Sequence, residues 1–206
     1  MCEQSEETAH RAVQAEAAEL AAAFRAGAPA AFDRVVALYK DRLYNVLYRI
    51  LGNHEDALDV AQEAFIRAWR KREQFAGRAQ VYTWLYQIAA NLARNRLRDG
   101  TRKGRNKGAS FDVLAGGAPS VAQQALATSE NPRDHAAREE LGAVLEECLA
   151  ALADHYRMAF VLRIFDGLDY AGIAATLDCR EGTVKSRLNK ARGLLRTCLQ
   201  QHGHID

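Results

Sequence analysis

The sequence contains few of the residues that interrupt helices, and little in it is typical of strands. Three prolines occur in 206 residues, and runs of β-branched residues bounded by turn residues are nearly absent. Alanine, leucine, glutamate and arginine, which favour helices, are abundant. With 49% hydrophobic residues the chain has ample material for a core. We therefore predict an all-α globular protein.

Long apolar runs and export signals are also missing. No stretch of about 18 apolar residues occurs, and residues 1–7 are acidic and polar, unlike a signal peptide. These absences predict a cytoplasmic protein without membrane insertion.

The cysteines show no pattern of a scaffold or a metal site. Cys2, Cys148, Cys179 and Cys198 are widely spaced, and no Cys-x-x-Cys pair occurs, so we expect neither a disulfide framework nor a zinc site. Cys148 and Cys198 lie on apolar helix stripes, which favours core positions over a redox role. The segment 202–204, with its two histidines, is expected to be an exposed tail rather than a metal site.

The motifs of common catalytic sites are absent too. The chain has no phosphate-binding loop of the Walker type, no His-Glu-x-x-His and no Gly-x-Ser-x-Gly. Asp56, Asp59 and Glu63 follow one another by about a helical turn, but no histidine or second carboxylate-bearing helix is arranged to complete a metal site. We therefore expect that the protein is not an enzyme and uses no cofactor.

Positive charge is concentrated in two blocks, although the formal net charge is only +2. From Arg67 to Lys107 the chain has twelve basic and two acidic residues, and from Arg180 to Arg196 it has six basic and one acidic. Two separate basic blocks predict two footprints on a polyanion, with an affinity that falls as salt rises.

The second basic block has the pattern of a helix-turn-helix. A short helix at 170–177 and a tight turn at Asp178-Cys179 precede a longer helix at 180–200, in which apolar residues recur every three or four positions. That apolar stripe consists of Val184, Leu188, Ala191 and Leu195. The opposite face is small, polar and cationic, as a major groove requires, and carries Gly182, Ser186, Asn189 and Lys190, with Thr183 and Lys185 on its flanks.

Helical periodicity divides the chain into two parts. The first part has predicted helices at 12–27, from Pro29 to 51, from Asn53 to about 72 and at 81–98; in the third, Ala57, Leu58 and Phe65 are expected to face the core. Residues 100–135 lack an apolar stripe and are rich in glycine, so they are expected to form a flexible linker. The second part has predicted helices at 136–152, 154–166, 170–177 and 180–200. We therefore predict two small helical domains, the second with four helices.

Four segments together resemble bacterial RNA polymerase sigma factors of the extracytoplasmic-function (ECF) group of the sigma-70 family. They are 31–39 (AFDRVVALY), 59–69 (DVAQEAFIRAW), 83–93 (TWLYQIAANLA) and 182–188 (GTVKSRL). The resemblance implies an N-terminal extension at 1–19, sigma region 2 at 20–99, the linker at 100–135, region 4 at 136–201 and a tail at 202–206. It also implies binding to core RNA polymerase and to promoter DNA, promoter melting, transcription initiation for a stress or envelope-response regulon, and control by an anti-sigma factor.

The same resemblance assigns three sets of site residues. The set implied for binding core polymerase is Asp56, Asp59, Gln62, Glu63 and Ile66. The set implied for recognising and melting the −10 element is Arg78, Gln80, Tyr82, Trp84, Asn91, Arg94, Asn95 and Arg98. The set implied for reading the −35 element is Arg180, Gly182, Thr183, Lys185, Ser186, Arg187, Asn189 and Lys190.

The sequence departs from the family at a few positions. Many members have Phe where Val81 stands, and most have Ser followed by Glu-Glu where this chain has Asp169, Ala171 and Gly172.

Two other functions remain open. A stand-alone helix-turn-helix regulator would use the second domain in the same way but would not need the aromatic and basic helix at 81–98. A structural adaptor would not explain two cationic blocks.

Overall fold

The computed structural model describes residues 15–77, 80–102 and 132–204, with side chains described except at 101–102 and 132–139. In these ranges the chain is helical and contains no strand, which confirms the all-α prediction. The helices are α1 (15–25), α2 (Pro29–Leu51), α3 (His54–Arg70), α4 (Val81–Arg102), α5 (Pro132–Ala150), α6 (Asp154–Ile164), α7 (Tyr170–Leu177) and α8 (Glu181–Gln201), with a 3₁₀ turn at Arg72–Gln74. None of the helices in the described part is long and apolar enough to cross a membrane.

Helix boundaries in the first domain, α1–α4, lie at residues that typically start or end helices. Pro29 opens α2, where its missing N–H costs nothing. Gly52 ends that helix in the left-handed conformation (φ 71°), and its N–H donates to the carbonyl of Tyr48. The Asn53 side chain then caps α3 by accepting the backbone N–H of Asp56 at 2.8 Å. The predicted start of α3 is thereby confirmed.

Helices α2, α3 and α4 pack on one another around an aromatic cluster. The ring of Phe24, in α1, is fully buried and lies 6.0 Å from Trp69 and 6.2 Å from Trp84 between ring centroids. One expected core position is wrong: Leu58 is 39% exposed, and Val60 is buried in α3 instead. Helix α3 packs on α2 and α4 through its buried residues, and Leu58 is not one of them.

The second domain, α5–α8, contains the predicted helix-turn-helix. Asp178 adopts a left-handed conformation (φ 50°) between α7 and α8, which a non-glycine residue rarely does outside a turn. The predicted stripe of α8 is buried throughout: Val184, Leu188, Ala191 and Leu195 are at most 4% exposed. The recognition-type helix therefore presents its cationic face outward.

The ends of the predicted linker belong to helices. Helix α4 continues to Arg102 rather than Arg98, and α5 begins at Pro132 rather than 136, because proline is favoured in the first turn of a helix. Residues 103–131, the remainder of the predicted linker, lie outside the described residues.

The two domains pack against each other. Helix α2 contacts α5 and α6, and α4 contacts α6 and α7. Their buried side chains belong to one apolar cluster. We expected two modules that act at separate places; in this structure they form a closed arrangement.

Candidate polymerase and promoter interfaces

The residues expected to bind polymerase lie along the outer face of α3. Asp59, Gln62 and Ile66 are exposed, whereas Asp56 and Glu63 are partly buried. Ile66 is 43% exposed and Leu58 39%, so two aliphatic side chains are left on this helix without cover from the described chain. Periodicity placed Leu58 in the core and therefore missed it as a surface residue.

Arg96 of α4 holds the acidic end of this face. Its Nε donates to Asp56 at 2.7 Å and its Nη2 to Asp59 at 3.2 Å. The hydrogen bond with Asp56 raises the pKa of Arg96. The bridge fixes the carboxylates in place and leaves the Asp59 side chain 67% exposed. No sequence signal pointed to Arg96, since pairing across two helices depends on how they pack.

Helix α4 carries an exposed polar face at its C-terminal half. Asn91, Arg94, Asn95 and Arg98 are all exposed. Arg94 donates to the Asn91 side chain at 3.4 Å, and Arg98 donates to Asn95 at 3.2 Å. The structure therefore brings together the amide and guanidinium groups that the sequence predicted on one side of this helix.

The aromatic residues predicted beside that face are not free in this arrangement. Tyr82 is 5% exposed, and its ring packs on Tyr86 at 4.4 Å and under the guanidinium of Arg42 at 4.3 Å. Trp84 packs against Phe75, with ring centroids 5.4 Å apart. A small helical domain needs its aromatics for its own core. Contact of Tyr82 and Trp84 with unstacked bases stays a prediction.

The loop before α4 is only partly described. Arg78 lies outside the described residues, whereas Gln80 is exposed. Gln80 and Thr83 line one side of a cavity of about 520 Å³, and the turn from Asp166 to Asp169 lines the other. The second domain therefore faces, across this cavity, the part of the first domain around Gln80 that is expected to receive the −10 element.

A buried carboxylate joins the domains at this cavity. Asp166 accepts from Arg42 Nε at 2.7 Å and from the Tyr86 hydroxyl at 3.2 Å. Its side chain is fully buried, and burial raises its pKa to about 6 although Arg42 acts in the opposite direction. A second polar contact joins the domains where Arg94 Nη2 donates to the Leu177 carbonyl at 3.2 Å.

The predicted −35 face is exposed on α8. Most of its residues are exposed, and Thr183 and Arg187 are partly so. Ser186 donates to the Thr183 carbonyl at 2.9 Å, and the Arg187 guanidinium lies 3.8 Å from the Cys179 sulfur. The fully accessible members of the set are Arg180, Gly182, Lys185, Ser186, Asn189 and Lys190.

The cysteine expectation is wrong in one respect. Cys148 is buried, as expected, but it forms a disulfide with Cys198, and the Cα atoms are 5.8 Å apart. The two residues are 50 positions apart in sequence, so only the packing of α5 on α8 shows that they meet. His202 lies within 4.8 Å of both sulfur atoms.

Family models match both domains. The model for sigma-70 region 2 matches residues 35–103, and the model for sigma-70 region 4 matches residues 143–195.

Curated relatives match over most of their length. The chain is 38% identical to RNA polymerase sigma-H factor of Pseudomonas aeruginosa over 171 residues, which is 82% of this chain and 86% of that protein. It is 35% identical to ECF RNA polymerase sigma factor SigW of Bacillus subtilis, covering 82% of this chain and 89% of the relative. It is 39% identical to ECF RNA polymerase sigma-E factor of Escherichia coli K12, covering 79% and 83%.

Solved structures share the fold. CnrH, solved in complex with the cytosolic domain of CnrY, matches with a TM-score of 0.64 at 23% identity, over 90% of this chain and 97% of the other. The sigma factor RpoE of Bartonella quintana, solved with the anti-sigma factor NepR, matches with a TM-score of 0.62 at 22% identity, over 82% and 96%. The fold, the two region models and the relatives agree: the chain belongs to the ECF group of sigma-70 factors, non-enzymatic proteins that direct transcription initiation.

Proposed function

We propose that this sigma factor acts in the cytoplasm through three surfaces: the outer face of α3 for core polymerase, the polar face of α4 for the −10 element and the cationic face of α8 for the −35 element. The observation that carries the proposal is the pairing of the exposed acidic face on α3 with an exposed cationic face on α8 in one chain. A stand-alone regulator needs only the second of these faces.

Docking on polymerase is supported by the chemistry of α3. Asp59 and Gln62 supply exposed polar groups, and Ile66 adds an aliphatic contact beside them. Such a mixed stripe is suited to a partner helix, because its apolar residue gives affinity and its polar groups fix the register. Arg96 supports the docking surface by holding Asp56 and Asp59 in place.

Promoter reading is supported by the separation of the two faces of α8. Its apolar stripe is fully buried, so the helix cannot rotate, and Lys185, Ser186 and Asn189 must project outward. Residues at the start of such a helix contact base edges, and lysines contact phosphate.

Contact with the −10 element requires the domains to separate. Tyr82 is buried, Tyr82 and Gln80 line the cavity between the domains, and Arg94 donates a hydrogen bond to the Leu177 carbonyl of the second domain. We propose that polymerase binding replaces these contacts and so makes region 2 available to DNA. The closed arrangement is then the form of the free protein.

Control by an anti-sigma factor is part of the proposal. Both solved neighbours described above carry a bound protein partner, which in one is an anti-sigma factor. A partner that stabilises the closed arrangement would keep the start of α4 facing the second domain and keep Arg94 hydrogen-bonded to the Leu177 carbonyl. Control of a stress or envelope-response regulon is proposed from the family resemblance alone.

Binding to purified core polymerase tests the first surface. The double variant Asp59→Ala/Ile66→Ala removes one exposed charge and one exposed aliphatic group without touching the core, and we expect at least a tenfold loss of affinity for core. Lys40→Ala, at an exposed position on α2, is the matched control. Equal affinity of the double variant and the wild type would contradict this docking surface.

A further inference from the structure

The disulfide between Cys148 and Cys198 is not used by any of the three proposed surfaces. It joins the last turns of α5 and α8. Cys148 is 1% exposed, whereas Cys198 is partly exposed. Cys198 is therefore the more accessible residue of the pair.

Helix α5 depends on this end for its attachment. Between 140 and 150 only Cys148 and Leu149 are buried, and Val144 and Leu145 are partly buried. The disulfide closes a loop of 50 residues, and a cross-link of that size restricts the unfolded chain strongly. Loss of the bond would leave α5 held by few apolar contacts.

Helix α5 also contacts the first domain. It packs against α2, and the charge of its Glu146 interacts with that of the buried Arg49. Burial raises the pKa of Glu146, and Arg49 opposes that shift. The position of α5 therefore affects the interface between the domains as well as the support of α8.

We propose that Cys148 and Cys198 form a redox-responsive site whose disulfide locks α5 onto α8 and whose dithiol releases it. The inference that the bond is reversible rests on the proposed cytoplasmic function, because disulfides in reducing compartments are usually transient. The bond and its effect on α5 can be measured without polymerase or DNA.

The chemistry balances with a peroxide as oxidant. The Cys198 thiolate, the more accessible of the two, attacks hydrogen peroxide to give a sulfenic acid and hydroxide. The Cys148 thiol then displaces hydroxide from that sulfur to form the S–S bond. Two thiols lose two electrons and two protons, and one peroxide becomes two waters. A dithiol reductant reverses the step by thiol–disulfide exchange.

A metal site is the competing use of the same atoms. Cys148, Cys198 and His202 could supply three ligands. Structural zinc takes four protein ligands, and no fourth donor belongs to this group in the described part of the chain. The structure pairs the sulfurs with each other instead, so we favour the disulfide.

The test uses the full chain with Cys2→Ser and Cys179→Ser, so that only the pair remains. The reduced protein is treated with hydrogen peroxide, and thiols are counted by alkylation and mass spectrometry. We expect loss of two thiols, a linked peptide pair containing Cys148 and Cys198, and a rise in Tm of more than about 5 °C. Amide exchange at 140–152 should slow in the oxidised form. Cys148→Ala and Cys198→Ser should show none of these changes.

Several outcomes would overturn the proposal. They are retention of both thiols in peroxide, an unchanged Tm and exchange rate on oxidation, and stoichiometric zinc binding to the reduced chain that Cys198→Ser abolishes. Failure of both redox forms to initiate transcription would instead count against the proposed function and leave the redox site standing.

Discussion

At the scale of single residues, Asp166 has the most unusual environment in the described chain. Its side chain is fully buried between the domains, and its Oδ2 has no hydrogen-bond partner among the described groups. Arg42 and Tyr86 both contact Oδ1. Because burial outweighs the attraction of Arg42, the pKa of Asp166 rises to about 6.

This raised pKa predicts a pH dependence of stability. The folded chain binds a proton at Asp166 that the unfolded chain releases near 3.8, so the stabilisation from protonation is lost as pH rises through about 6. Asp166→Asn removes the ionisation. We expect the free energy of unfolding of this variant, relative to wild type, to increase by about 2 kcal/mol or less between about pH 4.5 and pH 7.5.

Urea unfolding across that pH range provides the measurement. Asp33→Asn, which changes an exposed carboxylate on α2, is the control and should run parallel to the wild type. If the free energy of unfolding of Asp166→Asn changed with pH in the same way as that of the wild type, the carboxylate would not be the buried, proton-binding group described above.

At the scale of elements, α7 shows how one side chain and one glycine together define the start of a short helix. Asp169 caps the helix by accepting the Gly172 N–H at 2.7 Å. A Cβ on residue 172 would lie 2.9 Å from Asp169 Oδ1, so the glycine leaves room for the cap.

The cap predicts a measurable contribution to stability. Asp169→Ala leaves the first turn of α7 without its acceptor, and we expect a loss of about 1 kcal/mol in the free energy of unfolding. Asp169→Ser, which restores an acceptor, should lose less than half of that amount. Equal losses for alanine and serine would show that the hydrogen bond to Gly172 is not what stabilises the helix.

The cationic face of α8 gives a prediction about salt. Lys185 and Lys190 are exposed and are proposed to contact phosphate, so each alanine variant should bind promoter DNA more weakly and lower the slope of log affinity against log salt by about 1. Lys40→Ala, on the other domain, should leave the slope unchanged. Fluorescence anisotropy with the holoenzyme at several salt concentrations measures the affinity and its slope. Unchanged slopes for both α8 variants would exclude these phosphate contacts.

Elements were more predictable from the sequence than the contacts between them. The stripe of α8 and the helix boundaries near 51 and Asn53 depend on local patterns in the sequence, and both agree with the structure. Leu58 was misassigned because an apolar stripe shows which side of a helix faces the core, but it does not show how much of that side the neighbouring helices cover. The Cys148–Cys198 bond and the Arg96 bridges join distant segments, and no local pattern encodes them.

At the scale of the whole molecule, the two domains contact each other in a closed arrangement, whereas the sequence predicted two independent modules. Arg42 contributes two hydrogen bonds to Asp166 at 2.7 and 2.5 Å and covers the Tyr82 ring. The sequence could not show this contact, since Arg42 is an ordinary exposed position by periodicity. The three proposed surfaces follow from the sequence, whereas the contacts that the second domain makes with one of them follow only from the fold.

Loss of the Arg42 contacts should favour the open form. We expect Arg42→Ala to increase the distance between fluorophores placed on α3 and α8 in the free protein, because Asp166 then loses its charged partner. Arg34→Ala, which breaks an exposed ion pair with Glu16 inside the first domain, is the control. An unchanged transfer efficiency in Arg42→Ala would mean that the other contacts between the domains, among them the Arg94 hydrogen bond to Leu177, keep the arrangement closed without Arg42.

The most direct test of the account is initiation by purified core polymerase with this chain as the only sigma factor. Templates are selected from genomic fragments by the reconstituted holoenzyme, and transcript 5′ ends are mapped. We expect transcripts with a single defined start, absent with core alone and lost in both Asp59→Ala/Ile66→Ala and Lys185→Ala/Lys190→Ala. Transcripts that need another sigma factor already bound to core, or no defined start on any template, would contradict it.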